Sequence, residues 1–493
     1  MRALVPAGQW PESARRQTGG TLADRWLAHW RDDPGKVVLV DGSEPERVVD
    51  GARLTQRTAD AAAVLAGRGV VPGARVVWCA RARLDAVEAL LAVLRAGAVL
   101  VPVNPASTPA EIDHFVRDAG PTVAIADDPA AFGSSVPTLS VAELFDTAPA
   151  DGAYSPPEVR VSDDALIVYT SGTTGRPKGA VHTHASLLAG IDALQTAWGW
   201  RSEDRLILTL PLFHVHGLVA GLFGALTAGA TTTVFDRFDE NTVLDAASEH
   251  TMFFGVPTMY HRLGATDRIR ALSKLRLCVS GSAPLAAELW HRFAAQGVEV
   301  LERYGMTETL LTLSNPLVGE RRAGSVGVPL PGVEAAIDEP DEEGVGELSV
   351  RGASLCRGYW RRPDETTTDA AGWFATGDLV SVSDDGYVTI RGRRTELIIT
   401  GGHNVYPAEV EAVLARHPGV HEVAVVGVPS AEWGETVEAF VVGDPDPESL
   451  DDLATRELAP FKRPRQVHIV EALPRNALGK VVRGDLRSRR SQP

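Results

Sequence analysis

The stretch Ala165-Leu-Ile-Val-Tyr-Thr170-Ser-Gly-Thr-Thr-Gly-Arg-Pro-Lys-Gly179 joins an apolar, β-branched run to a loop dense in glycine and hydroxyl groups. The run reads as a buried strand. In the loop, Gly172, Gly175 and Gly179 let backbone amides come close to a ligand, the hydroxyls of Thr170, Ser171, Thr173 and Thr174 add donors, and Lys178 adds a point charge. That combination suits phosphate oxygens. It is not a G-x-x-x-x-G-K-[ST] loop, because Pro177 precedes the lysine and Gly179 stands where Ser or Thr is required.

Working outward, the same alternation of strand and helix continues on both sides. Residues 21–34 and 55–68 repeat apolar positions at helical spacing, whereas 37–40 (VVLV) and 76–80 (VVWCA) read as short buried strands. A helix is expected in DAVEALLAVLRAGAV, then further strands at 122–126, 205–210 and 231–235. This is the pattern of parallel sheets covered by helices. From about residue 325 the texture changes to closely spaced turns and strands, with Asp384–Tyr387 expected to turn a hairpin. After Gly-Arg-Arg-Thr-Glu396 a new unit begins, helical in PAEVEAVLARHPGV and LDDLATREL and extended in EVAVVGVP and VEAFVVG. The acidic run at 444–452 is expected to be a solvated surface loop. The fold class predicted is α/β: a large body of helix-covered sheets plus a β-rich subdomain (1–392), a boundary at 393–396, and a small α+β C-terminal domain (397–493).

Composition bounds the function. The 493 residues are 44% hydrophobic and 23% charged, enough to bury a large core. A net charge of −16 leaves no basic excess for a dedicated nucleic-acid binder. The three cysteines, Cys79, Cys278 and Cys356, lie far apart and read as buried thiols, not as a disulfide or zinc framework. No run of about 18 apolar residues occurs, and the opening residues lack the apolar core of a secretory signal. No stable membrane association and a cytoplasmic location are therefore expected. Only five of the 48 basic residues are lysines, at 36, 178, 274, 462 and 480, so each lysine invites a question about its task.

The loop at 170–179 resembles the phosphate loop of the adenylate-forming superfamily of acyl-CoA synthetases, peptide-synthetase adenylation domains and beetle luciferases. Six further motifs of that family follow in order: Gly281-Ser-Ala-Pro-Leu285, Glu302-Arg-Tyr-Gly-Met-Thr-Glu-Thr309, Thr376-Gly-Asp378, Gly392-Arg393, Gly401-Gly-His-Asn-Val-Tyr-Pro-Ala-Glu-Val-Glu411 and Pro474-Arg-Asn-Ala-Leu-Gly-Lys480. The resemblance spans essentially the whole chain. It implies ATP-dependent, AMP-forming activation of a carboxylic acid, followed by transfer of the acyl group to coenzyme A.

The residue types suit that chemistry. A carboxylate is a poor electrophile until AMP is attached as a leaving group, and the transition state gathers charge that fixed donors and cations must meet. By resemblance, ATP contacts fall to Thr170, Ser171, Gly172, Thr173, Thr174, Lys178, Gly281, Ser282, Ala283, Glu302, Arg303, Tyr304, Thr307, Asp378 and Arg393. Glu308 matches the magnesium ligand, a hard oxygen for a hard ion. Lys480 matches the catalytic lysine that bridges the substrate carboxylate and the α-phosphate, and Thr307 and Glu308 complete the catalytic set. The C-terminal domain is implied to rotate about a hinge, where this chain has Glu396 in place of the usual Asp or Lys. Gly401, Gly402 and His403 would then line the CoA tunnel.

For the acyl pocket the resemblance points to His214, in Pro-Leu-Phe-His-Val-His-Gly217, to Gly281 and Met306, and to the turn Gly255–Thr258. The motifs look like those of the malonyl-CoA synthetase branch. A second carboxylate would need an arginine fork, for which Arg276 and Arg237 are the candidates. The apolar stretch Thr309-Leu-Leu-Thr-Leu313 points instead to a slot for a short or medium fatty chain. The motifs are also compatible with a carrier protein as acyl acceptor, and with a catalytically inactive nucleotide sensor on the same fold.

Overall fold

Ala165–Tyr169 lies in the strand Asp164–Tyr169, which runs parallel to Val99–Pro102 and antiparallel to Gly179–Thr183. The two antiparallel strands are held together at this end by the Thr170 amide donating to the Lys178 carbonyl at 2.9 Å. The computed structural model describes residues 2–11, 19–148, 154–170, 177–430, 432–475 and 481–489. Ser171, Gly172, Thr173, Thr174 and Lys480 lie outside them.

That antiparallel pair closes a seven-stranded sheet whose inner members, Arg75–Cys79, Val99–Pro102 and Val123–Ala126, are parallel. A nine-stranded sheet is also parallel at its centre, through Val37–Asp41, Thr231–Val234, Arg205–Leu208, Met252–Gly255, Leu277–Ser280 and Val300–Met306. Helix Leu84–Arg95 touches a strand of each sheet, and every residue from Ala86 to Leu94 is buried. A helix covered on all sides reads as a continuous apolar run, as this one does. Its single buried acid, Glu88, is held by Arg57 at 2.7 Å.

The change of texture near residue 325 corresponds to a five-stranded antiparallel sheet that also takes in the N-terminal strand Arg2–Leu4. Phe374–Val382 and Val388–Arg393 form its hairpin, turning through Asp384–Gly386 as expected. A short helical turn at Arg394–Glu396 follows, and Ile398–Thr400 opens the last sheet, shared with His403–Val405, Val420–Ser430, Gly434–Gly443 and Gln466–Ile469. The fold is thus mixed α/β, a large N-terminal part with a smaller C-terminal one. All three cysteines are buried free thiols, and among the described residues no helix is long and apolar enough to cross a membrane.

One expectation is corrected. The acidic run at 444–452 enters a helix, Pro447–Glu457, capped by the Asp446 side chain accepting from the Ser449 amide at 2.9 Å. Proline at the first position and apolar Leu450, Leu453 and Ala454 on one buried face outweigh the acidic composition.

Candidate active site

In the nine-stranded sheet the carboxyl ends of the parallel strands converge, the usual place for a ligand in an open α/β sheet. Leu277–Ser280 delivers Gly281–Leu285 there, Met252–Gly255 delivers the turn to Thr258, Arg205–Leu208 delivers the segment to His216, and Val300–Met306 runs on into Thr307 and Glu308. Arg237 follows Thr231–Val234 on an exposed loop of the same edge.

Side chains alternate along Val300–Met306. Glu302 is 3% exposed and accepts from the amides of Leu285 (3.1 Å) and Gly324 (3.0 Å), pinning the loop after Gly281. Burial pushes its carboxyl up to about 7, the two amides pulling the other way. Tyr304 donates its hydroxyl to Asp378 Oδ2 at 2.5 Å. Arg393 Nε meets Asp378 Oδ1 at 2.7 Å, and the two residues pair across the hairpin of the antiparallel sheet. Burial, and then the Asp378 charge, hold the Tyr304 phenol well above its ordinary value, so it stays a donor. Tyr304, Asp378 and Arg393, distant in sequence, form one cluster.

A second cluster surrounds Glu308, which is 7% exposed. Tyr359 donates to Glu308 Oε1 at 2.8 Å, and the Cys356 amide donates to the Glu308 carbonyl at 2.7 Å. The register slips at Tyr304/Gly305, and the chain returns through Leu310, a non-glycine residue at φ +56°. A Cβ on Gly305 would lie 2.0 Å from the Leu310 carbonyl oxygen. Such local strain tends to gather at working sites. Lys178 forms an ion pair with Glu365 and sits 5.3 Å from the centre of the Tyr359 ring. His182, fully buried, donates from Nε2 to the Thr307 carbonyl at 2.7 Å, and burial lowers it to about 4. Tyr359, Glu365 and His182 carry no motif signal that would have selected them. Contact with Lys178, Glu308 and Thr307 is what singles them out.

A single carboxylate with one oxygen outside its hydrogen bond suits Mg2+, which keeps water and takes substrate phosphates in place of an all-protein cage. Among the described residues no group of three or more His, Cys, Asp or Glu side chains is placed to hold a metal, so the fit rests on Glu308.

Arg276 is not in this cleft. It precedes Leu277, at the amino end of its strand, and that four-residue strand sets it about 13 Å from the opposite edge. There its guanidinium is bound to Asp204 (Nε to Oδ1, 2.7 Å) and to the carbonyls of Trp198 and Gly199. Asp204 is 2% exposed, and although burial raises its carboxyl, Arg276 brings it below the usual carboxylate range. The expected arginine fork is thus a structural ion pair.

The strand ends hold a different arginine, Arg303, which the resemblance counts among the ATP contacts but which lies enclosed beneath the Gly281 loop. Arg303 is 5% exposed, has no carboxylate partner among the described residues, and burial lowers it to about 9, leaving it charged at neutral pH. Its Nε lacks a partner, and its terminal nitrogen lies 3.3 Å from Ser282 Oγ. A Cβ on Gly281 would fall 2.3 Å from Arg303 Nε, so this glycine is required for the guanidinium to lie beneath the loop. His216, 4% exposed with both ring nitrogens unpartnered, stacks on Phe254 at an interplanar angle of 13°. It is held neutral first by burial and then by Arg303 and His214. Leu310, Leu311 and Leu313 are at most 2% exposed and belong to hydrophobic cores. The apolar stretch after Glu308 is therefore packed protein, not an open slot. Met306 ends the strand, half-buried beside the Tyr304 hydroxyl. Gly401 and Gly402, at φ +57° and +81°, form an exposed turn in the C-terminal sheet, and His403 stacks on Phe461 at 4.4 Å.

The chain matches the model of the AMP-binding enzyme family over residues 27–360 and that of the AMP-binding enzyme C-terminal domain over 409–480. A malonate–CoA ligase of Arabidopsis thaliana is 36% identical over 484 residues, spanning 85% of this chain and 79% of the relative. A feruloyl-CoA synthase of Amycolatopsis sp is 38% identical, spanning 89% and 93%. The ATP-bound crystal structure of MatB from Rhodopseudomonas palustris superposes with a TM-score of 0.88 at 36% identity, covering 95% of this chain and 99% of that one.

Proposed function

The chain belongs to the AMP-binding enzyme family, and on that premise we propose which acid it activates and which residues do the work. As a member it is an AMP-forming acyl-CoA ligase, an acid–thiol ligase using ATP, Mg2+ and coenzyme A. The acid proposed is a small dicarboxylate, malonate or methylmalonate. The observation that carries this is Arg303, a buried guanidinium with no acidic partner among the described residues, with the buried His216 and the half-buried His214 nearby in the fold.

Burying a cation without an anion is costly, and a second carboxylate on the substrate supplies what the protein withholds. Arg303 takes that carboxylate through its fork, and His216 and His214 close the pocket around the short carbon unit. A fatty-chain slot lacks support, since the leucines after Glu308 are core residues. The malonate–CoA ligase and MatB likenesses point the same way.

The reacting carboxylate faces the α-phosphate. Lys178 and the hydroxyl loop hold the phosphates, Asp378 accepts from the ribose hydroxyls with Tyr304 and Arg393 fixing its two oxygens, and Gly281–Ala283 wall the adenine. Bound Mg2+, held by Glu308, would neutralise charge on the phosphates. Lys480 contacts both anions during adenylate formation. The unit 397–493 then turns about 393–396, removing Lys480 and bringing Gly401, Gly402 and His403 toward the thiol's path.

The test is a pyrophosphate-release screen over malonate, methylmalonate, acetate to decanoate, and benzoates, for the protein and for Arg303→Met. The dicarboxylates should lead, and Arg303→Met should lose about 100-fold or more in kcat/KM for them alone, with ATP affinity unchanged. Preference for a monocarboxylate, or unchanged selectivity in Arg303→Met, overturns the assignment.

A further inference from the structure

We propose that Tyr359 is a positioning residue for the adenylation half-reaction, its hydroxyl orienting Glu308 and its ring seating Lys178. This rests on the reading that Glu308 and Lys178 face Mg2+ and the phosphates of ATP. The two residues stand 130 positions apart in sequence. The short strand Gly358–Tyr359 bridges them, adding antiparallel to Gly179–Thr183 with Tyr359 opposite Ala180, beside the direct bond from His182 to the Thr307 carbonyl.

That strand locks both sides by backbone. The Trp360 amide donates to the Gly179 carbonyl at 2.8 Å and the Arg357 amide to Val181 at 3.0 Å, while the Cys356 amide donates to Glu308 at 2.7 Å. Between these anchors the half-buried Tyr359 side chain does two separate things. Its hydroxyl donates to Glu308 Oε1 at 2.8 Å, fixing the carboxylate plane and leaving Oε2 outside that bond. Its ring face lies 5.3 Å from Lys178 Nζ, a cation–π seat for the ammonium. A hydrogen bond that fixes a metal-binding carboxylate from behind governs how well the metal is held, and the two halves of the side chain can be removed one at a time.

The experiment measures ATP binding to the full chain by calorimetry, without acid or CoA, across a Mg2+ titration, with ATP–pyrophosphate exchange alongside. Tyr359→Phe keeps the ring and deletes the hydroxyl. It should raise the half-saturating Mg2+ concentration about tenfold while leaving ATP affinity at saturating Mg2+ within about twofold and the thermal midpoint near that of the parent. Tyr359→Leu also deletes the ring and should weaken ATP binding even at saturating Mg2+. Glu308→Gln is the control for the underlying reading. If it shifts the Mg2+ dependence and Tyr359→Phe does not, the role of Tyr359 is overturned while Glu308 stands. If Glu308→Gln leaves Mg2+ dependence unchanged, the reading of Glu308 fails and the proposal with it.

Discussion

The strand ends of the body and the Gly401–Asn404 turn of the C-terminal unit hold their polar groups in opposite ways. In the body, Glu302, Arg303, Glu308 and Asp378 are each 7% exposed or less and, Arg303 apart, are gripped by neighbours from other strands and loops. In the turn, Gly401 and Gly402 owe their place to left-handed backbone, and His403 and Asn404 are exposed. Burial ties chemistry to stability, because a charge removed from such a site leaves its partner desolvated. An exposed turn carries no such coupling. Function and folding should therefore separate under mutation in the C-terminal unit, whereas removing one partner of a buried charge pair in the body should cost stability.

The largest expected effect lies in the C-terminal unit. Lys480→Ala should slow adenylate formation by about a thousandfold, the scale of one lost charge-stabilising donor, while thioester formation from supplied acyl-adenylate stays within about threefold and the thermal midpoint is unmoved. Separate assays of the two half-reactions decide it. Equal loss in both would end the division of labour between the two regions.

Arg276→Ala is the body's counterpart, and its effect should appear in stability alone. It strands Asp204, 2% exposed, without its guanidinium, and should cost about 3 kcal/mol in denaturant unfolding with no change in the order of preferred acids. A selective loss of dicarboxylate use would return Arg276 to the substrate site.

Glu302 gives a smaller effect, graded by pH. Its carboxyl is raised in the folded protein to about 7 from an ordinary 4.5, so folding favours the protonated form. Its contribution is full below about pH 4.5 and is lost as pH rises through 7. Relative to Glu302→Gln, the protein should lose up to about 3 kcal/mol between pH 5 and 8. Parallel stability curves for the two would refute the buried, raised carboxyl.

The same contrast explains what the sequence makes legible. Asp378, Glu308 and Gly401 stand in motifs whose order along the chain singles them out as candidates, and the alternating strands and helices announce parallel sheets. Arg276 misleads because its neighbour in sequence is the strand leading to Gly281, and a strand has two ends: only the three-dimensional direction of Leu277–Ser280 shows which end a preceding residue occupies. Arg303 stands inside a motif, but nothing in a chain with so many arginines marks one that is buried with no acid beside it among the described residues. Tyr359 and His182 are invisible for a simpler reason. Their importance is contact across 51 and 125 residues, with Glu308 and Thr307, and no local pattern encodes that.

The smallest effect gives the finest test. Gly401 and Gly402 share a left-handed backbone, but their surroundings differ: a Cβ on Gly401 would meet the Trp433 ring at 3.0 Å, whereas one on Gly402 would meet nothing within 4 Å. Alanine at either position should cost about 1 kcal/mol of backbone strain in the C-terminal unit. Only Gly401→Ala should also displace Trp433, whose carbonyl accepts from the Gly401 amide at 2.8 Å. If this turn lies beside the thiol's path, both variants should retain ATP–pyrophosphate exchange within about twofold and slow the thioester step, Gly401→Ala more so. The difference between them measures the ring contact with backbone strain held in common. Loss of pyrophosphate exchange in either would mean that the turn is coupled to the body after all, and the contrast between buried and exposed regions would fail at the point where it is sharpest.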